Sequence, residues 1–585
     1  LIASPYSFCF SHSSGIQTPL SGDEHSSPSR GYSWTPRNRR PEKLRDSLKE
    51  LEELLQTNTC IHTRWRNKHC CQMMLSSGVL VSLTLNGPQL EQVCIDSTLV
   101  GRLPAGTVTD GKLRHVKPKT MSKIINVCVV FTCVLSLLRK LIVAYIGGVL
   151  GNSFISIVSL SLPLFSQVLS SVQTEGNPLD CHFSLLQPYQ VLTVELSAGS
   201  QGSRHGSWAD SCVYECARGR LHRLSVTRIP LPSSPISCSH HPSETTLLLG
   251  LGDSSLVLYD QRRGISLLAS CPVPPTLLAW HPAGAVVMLG GGQEELMCFD
   301  VGLAPVNMAM LAEEEAPAAT LRLTQHLRCS GRLEVLQWGT GLDGGPEGTD
   351  MLTLAFHGGP LAALRFRLGA LTGGQMGPGE VLQQRLRCGQ IREALGILEA
   401  MDWSTMGDSC FRGLSSVTNY LLRLELNAER EAQLEAALGV FYAPPVPLPD
   451  TVILEYREPM RKYARRFFQH LLRHQCFEKA FLLAVDLEDR DLFMDLHYVA
   501  SDKGEVVLAD VAKRKANEIE ARAIAGNGKK IIIMSHQKDT KCVISPYIPN
   551  RRWISDNPSN SPTFLTSKSR FFSQALTLVS QLRGK

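Results

Sequence analysis

The sequence lacks the residue constellations that catalysis ordinarily requires. No GxSxG, HExxH or paired-carboxylate arrangement occurs in its 585 residues, so nucleophilic, metal-hydrolytic and general acid–base chemistry have nothing to carry them. Gly106 to Lys112 has the spacing of a phosphate-cradling loop, but Leu113 stands where Ser or Thr must hold magnesium. Eighteen cysteines contain no CxxC pair, and Cys212 with Cys216 has no matching Cys or His pair at zinc-finger distance. They read as reduced, buried small hydrophobes of a cytosolic chain. Charge is also sparse: charged residues make up 19% and the net charge is +6, too dispersed for a nucleic-acid footprint. The expectation is a protein that is not an enzyme, with no cofactor, no metal and no nucleic-acid partner.

What is present is turn-rich and apolar. Hydrophobic residues reach 43%, beside 46 Gly and 33 Pro, and the length calls for at least two domains. Opening on Leu1 rather than Met, the sequence is expected to be a fragment or an incomplete gene product. Residues 1–40, rich in Ser, Pro, Gly and Arg, read as a disordered tail. Over 41–56, Leu44, Leu48, Leu51 and Leu55 recur at helical spacing behind Pro41, predicting an amphipathic helix docked on its own domain. Alternating strands follow over 57–110, with Asn86-Gly87 as a hairpin turn, and again over 171–375.

The organising feature is a repeat. HPSETTLLLGLGDSSLVLYD (241–260) lies over HPAGAVVMLGGGQEELMCFD (281–300) at an offset of 40 without a gap, the period and turn pattern of a four-stranded WD-type blade. His241 and His281 are expected to be structural, and Gly250, Gly252, Gly290 and Gly292 to form the tight turns leaving each buried strand. Asp260 and Asp300 are expected to hydrogen-bond within turns.

After Gly379 the period becomes 3.6. One helical stretch is expected over 381–403 and others near 414–426, 428–441, 452–475, 477–487, 489–502 and 505–522, an α-hairpin array or solenoid over 376–524. Residues 525–585 read as an atypical, disordered tail. The fold class is therefore β then α: a WD40-like β-propeller, incomplete here, followed by a C-terminal α-helical hairpin or solenoid domain.

Two surfaces invite function. Residues 111–170 form an atypical insert whose apolar run at 124–169 has the length of a membrane hairpin, although a foreign insert is the preferred reading. Arg457, Arg461, Lys462, Arg465, Arg466 and Arg473 interleave with Phe467, Phe468, Leu471 and Leu472, predicting a cationic helix face suited to acidic partners or acidic phospholipids.

PEKLRDSLKELEELLQTNTC (41–60), SGVLVSLTLNGPQLEQVCIDSTLVGRL (77–103), DSCVYECARGRLHRLSVTRIPL (210–231), both blade repeats and above all ILEYREPMRKYARRFFQHLLRHQCFEKAFLLAVDLEDRDLFMDLHYVASDKGE (453–505) resemble the WD repeat-containing planar cell polarity effector Fritz family. The resemblance covers roughly 41–110 and 171–522. It implies a scaffold of the ciliogenesis and planar polarity effector complex, acting with Inturned and Fuzzy, organising septins, controlling focal adhesions, recruiting intraflagellar transport machinery and supporting collective cell movement. The implied locations are cytoplasm and cytoskeleton, cilium axoneme and basal body, and peripheral plasma membrane. Residues 110–170 and those from Gly526 onward depart from the family's pattern.

Overall fold

The computed structural model describes residues 2–8, most of 42–97, the strands at 106–109, 112–115, 126–132, 140–149 and 152–161, and most of 165–533. Two units divide the chain, Leu1–Gln384 and Arg385–Lys585.

The first unit opens with strand β1 (Ile2–Phe8) and helix α1 (Glu42–Thr57). Leu44, Leu48, Leu51 and Leu55, spaced four, three and four apart, share one helix face. All are buried against Cys71, Met73, Val81 and Leu83 of the first sheet. That sheet is β2 (Cys60–Asn67), β3 (Cys70–Leu75), β4 (Leu80–Asn86) and β5 (Gln89–Asp96). A two-stranded hairpin follows, β6 (Gly106–Thr109) with β7 (Lys112–His115). The second sheet holds β8 (Asn126–Thr132), β9 (Lys140–Val149), β10 (Asn152–Ser161) and β11 (Phe165–Gln173). The third holds β12 (Asn177–Phe183), β13 (Gln190–Leu196), β14 (Ser207–Ala217) and β15 (Arg220–Leu231).

The 40-residue repeat builds the next two. The fourth sheet is β16 (Pro235–His240), β17 (Thr246–Leu251), β18 (Ser255–Asp260) and β19 (Ile265–Ser270). In the fifth, β20 (Leu277–Trp280), β21 (Val286–Gly290) and β22 (Glu295–Asp300) precede the short β23 (Ala309–Met310), and β24 (Thr320–Arg322) is its fourth strand. The sixth contains β25 (Leu333–Trp338), β26 (Met351–Phe356) and β27 (Leu361–Arg367), with β1 antiparallel to β27 and β23 parallel beyond β1. The first strands of these six sheets adjoin one another: β2 with β8, β8 with β12, β12 with β16, β16 with β20, β20 with β25, and β25 with β2. These are WD-like propeller blades. The two-stranded sheet β6–β7, between β5 and β8 in the chain, is not one of these blades.

Burial follows blade position. Leu247 to Leu249 and Val286 to Leu289 are buried throughout, because a second strand is covered on both faces. Strand β19 alternates between exposed and half-buried residues, as an outer strand does.

Three stretches differ from expectation. Within the tail expected over 1–40, residues 2–8 pair as β1 with β27, so backbone pairing outweighs their tail-like composition. Residues 124–169, whose apolarity suited helical spans, supply β8–β11 instead; Val- and Ile-rich runs favour a strand as readily as a spanning helix. Among the described residues no helix is long and apolar enough to cross a membrane. The last helix continues to Ile533, past the expected limit of 524, while 534–585 lie outside the described residues.

The second unit is helical. Helix α2 (Pro378–Arg387) crosses the boundary, followed by α3 (Ile391–Ala400), α4 (Trp403–Leu421), α5 (Ala428–Tyr442), α6 (Asp450–Arg473), α7 (Phe477–Leu487), α8 (Arg490–Asp502) and α9 (Val506–Ile533). The single stretch expected over 381–403 is two helices, because Gly389 takes φ +71 and ends α2. Helix α4 starts at Trp403, ahead of the expected 414, where Asp402 accepts from Ser404 N at 3.0 Å as its cap. From α4 to α9 each helix packs on its successor, the arrangement of a hairpin array. Trp403 anchors this core, 5.1 Å from Phe441 and 5.6 Å from Tyr456, both edge-on.

Candidate functional site

The repeat's polar residues form clasps between blades. His241 Nε2 lies 2.9 Å from the Gly284 carbonyl and Nδ1 2.7 Å from Ser243 Oγ, while the ring stands edge-on to Trp280 at 4.9 Å. Burial pushes the pKa of His241 down, so the neutral ring holds the next blade's turn. One blade later the ring contact recurs, His281 standing edge-on to Trp338 at 4.8 Å, and there Trp338 Nε1 donates to the Ala279 carbonyl at 3.0 Å. Asp260 Oδ1 accepts from Arg262 N and Arg263 N at 2.9 and 3.1 Å, and Asp300 Oδ1 from Gly302 N and Ala304 N at 3.0 and 2.9 Å.

Two of the four glycines serve differently from expectation. Gly250 lies inside β17 and Gly290 closes β21. A Cβ on Gly250 would fall on Ser237 and the Pro275 carbonyl, so this position is glycine for close approach of neighbouring backbone rather than for a turn. Gly252 lies in the turn leaving β17, as expected, and Gly292 lies outside the described residues.

The cationic helix face divides. Arg461 Nη2 donates to Asp489 Oδ2 at 2.8 Å, and Arg465 Nε and Nη2 donate to the same oxygen at 3.0 and 2.7 Å. Asp489 is 3% exposed, and its Oδ1 accepts from Asp491 N at 3.2 Å to cap α8. Burial opposes ionisation of Asp489, but the hydrogen bonds and charges of Arg465 and Arg461 prevail and hold its pKa below the usual value. These two arginines therefore brace α8 against α6. Lys462, Arg466 and Arg473 recur at intervals of four and seven, which sets them on one outward face. Lys462, Arg473 and Arg457 are exposed and make no hydrogen bond or ion pair among the described residues. Arg466 Nη1 donates to Asn419 Oδ1 at 2.6 Å, and its guanidinium lies 5.7 Å from the Tyr463 ring centre.

A third cluster joins two blades. Asp180 and His182, alternate residues of β12, meet His240 at the end of β16, with their potential ligand atoms all within 4.8 Å. His182 Nδ1 is 3.5 Å from Asp180 Oδ2, and the two imidazole centres are 4.4 Å apart. Sequence reasoning passed over these residues because 58 positions separate His182 from His240. The one local signal was an Asp-x-His alternation in a strand, which places both side chains on one face.

Sheets sharing a circuit of first strands, inter-blade His–Trp clasps and an appended helical array define a WD-repeat protein with an α-helical C-terminal unit. The chain belongs to the family of the WD repeat-containing and planar cell polarity effector protein Fritz, whose model matches residues 24–118 and 153–512. It is 43% identical to the mouse fritz homolog over 562 residues, 85% of this chain and 76% of that protein. The human homolog is also 43% identical, over 85% of this chain and 74% of its own length. The Drosophila protein fritz is 23% identical over 86% of this chain and 59% of that protein. The family match skips 119–152, within the stretch that departs from the family's pattern.

Proposed function

We propose that this chain is a non-enzymatic scaffold of the planar cell polarity effector machinery. The observation that carries the reading is its match, through both the propeller and the helical unit, to relatives named as planar cell polarity effectors. In this proposal the chain assembles with Inturned and Fuzzy, supports cilium assembly, recruits intraflagellar transport machinery, organises septins and contributes to collective cell movement. Its locations are the cytoplasm and cytoskeleton, the axoneme and basal body, and the inner face of the plasma membrane.

Blade surfaces supply the protein contacts, and Lys462, Arg466 and Arg473 supply a cationic stripe for acidic phospholipids. Each basic residue near an anionic surface contributes about 1 kcal/mol. Neutralising Lys462 and Arg473 together should therefore weaken binding to phosphatidylserine vesicles about thirtyfold, at ~2 kcal/mol for the pair. The test expresses the full tagged chain in ciliated cells depleted of their own copy. Restored cilia and co-isolation of Inturned and Fuzzy are the expected results. A chain that folds yet recovers neither would overturn the scaffold reading, and unchanged vesicle binding by Lys462→Gln with Arg473→Gln would remove the stripe from it.

A further inference from the structure

The cluster at the junction of the third and fourth blades has the composition of a metal centre. Asp180, His182 and His240 bring one carboxylate and two imidazoles together from β12 and β16, first strands that adjoin each other. First strands surround the axis of a propeller, so the donors lie toward its centre. Asp180 and His182 retain about a quarter of their side-chain exposure, 25% and 24%, which leaves an ion a route in. His240 is the unusual member. Both of its ring nitrogens are enclosed and neither has a hydrogen-bond partner, a costly state for a buried imidazole.

We propose that Asp180, His182 and His240 bind a zinc-class divalent cation, with water in the fourth position. Tetrahedral zinc holds His nitrogen and Asp oxygen at about 2.0–2.2 Å, which sets neighbouring donors about 3.4 Å apart. The separation of 3.5 Å between His182 Nδ1 and Asp180 Oδ2 already fits that edge, and small side-chain rotations draw His240 in from within 4.8 Å. Two imidazoles and one carboxylate, with no thiolate in the set, select zinc, cobalt or nickel over calcium or magnesium. The backbone favours the arrangement. A register shift between Pro178 and Asp180 sets the phase of β12. Beyond the cluster, Glu244, in the turn after β16, accepts from Ser184 Oγ at 2.6 Å and from Leu185 N, in the loop after β12. The two halves of the site are thus held together by a protein contact before any ion enters.

The test uses the full chain, stripped with chelator and titrated with Co²⁺. Wild type should bind one equivalent that gives visible d–d bands without thiolate charge transfer, and Zn²⁺ should displace it and raise the melting temperature. His240→Ala with His182→Gln should lose that equivalent and the shift. Asp180→Asn, nearly isosteric, should bind Co²⁺ at least tenfold more weakly while its metal-free circular dichroism matches wild type. A spectrum dominated by thiolate charge transfer would place the metal on cysteines and overturn the proposal. So would equal nitrogen- and oxygen-type binding by wild type and Asp180→Asn. The readouts are metal content and spectra, so they stand apart from any failure of the scaffold reading.

Discussion

Replacing Asp489 should unfold the helical unit more readily than any change to the exposed cations of α6. The carboxylate does two things at once, capping α8 through Oδ1 and taking three guanidinium N–H groups on Oδ2. Loss of an N-cap costs about 1 kcal/mol. A charged hydrogen bond contributes about 1.5–3 kcal/mol where water is excluded. Arg461 and Arg465 keep 32% and 46% side-chain exposure, so they rehydrate when the carboxylate goes, and the three bonds together contribute about 2 kcal/mol rather than their full sum. Asp489→Ala should therefore lower stability by about 3 kcal/mol. Asp489→Asn keeps the cap acceptor and should lose about 2 kcal/mol. Charge reversal at both arginines sets two new carboxylates beside a buried third and should cost at least as much as Asp489→Ala. Urea unfolding of the full chain, followed by helical circular dichroism, reads all three variants. The reasoning fails if Asp489→Ala unfolds within about 0.5 kcal/mol of wild type, the range of an ordinary surface change.

The same pair predicts a pH dependence. The folded pKa of Asp489 is lowered, so its contribution is fully present above the unfolded carboxylate value of about 4 and is lost as pH falls through the lower folded value. The stability gap between wild type and Asp489→Asn should be flat from neutrality to about pH 5 and close in acid; a gap that widens on acidification would contradict the sign. Gly284→Ala should cost about 1–3 kcal/mol, because Gly284 sits at φ +71 and a Cβ there would fall on His241 Nε2. Gly264→Ala, at φ +64 with nothing nearby, should cost less in thermal melts, and equal losses would discount the clasp. Lys462→Gln with Arg473→Gln should leave the urea midpoint within about 0.5 kcal/mol of wild type, as expected of exposed residues with no hydrogen bond or ion pair among the described residues.

Much of the fold was legible because it rests on local periodicity. Leucines four, three and four apart describe α1 wherever it docks, and a 40-residue offset describes two blades without reference to the others. The cationic face was legible only in part. Six basic residues at helical spacing look alike in a list, and the feature that separates Arg461 and Arg465 from Lys462 and Arg473 is Asp489, over twenty positions later and on another helix. The turn at residue 244 shows the same limit. Glu244 occupies the repeat position of Gly284 and takes φ +57, a strained conformation for a residue with a side chain. Its carboxylate bonds to Ser184 and Leu185 in the preceding blade, a use the repeat could not announce.

By itself, the sequence determined the order of β then α, the blade period, the α1 docking face and the resemblance to the Fritz family, because composition and spacing act over one or two turns of chain. Only the tertiary structure decided that residues 126–173 run as strands, that residues 2–8 pair with β27, and that two arginines of α6 pair with Asp489. Only the tertiary structure gathered Asp180, His182 and His240. Each of those outcomes depends on partners far apart in the chain, and apolarity or charge at one position does not specify which distant group will meet it.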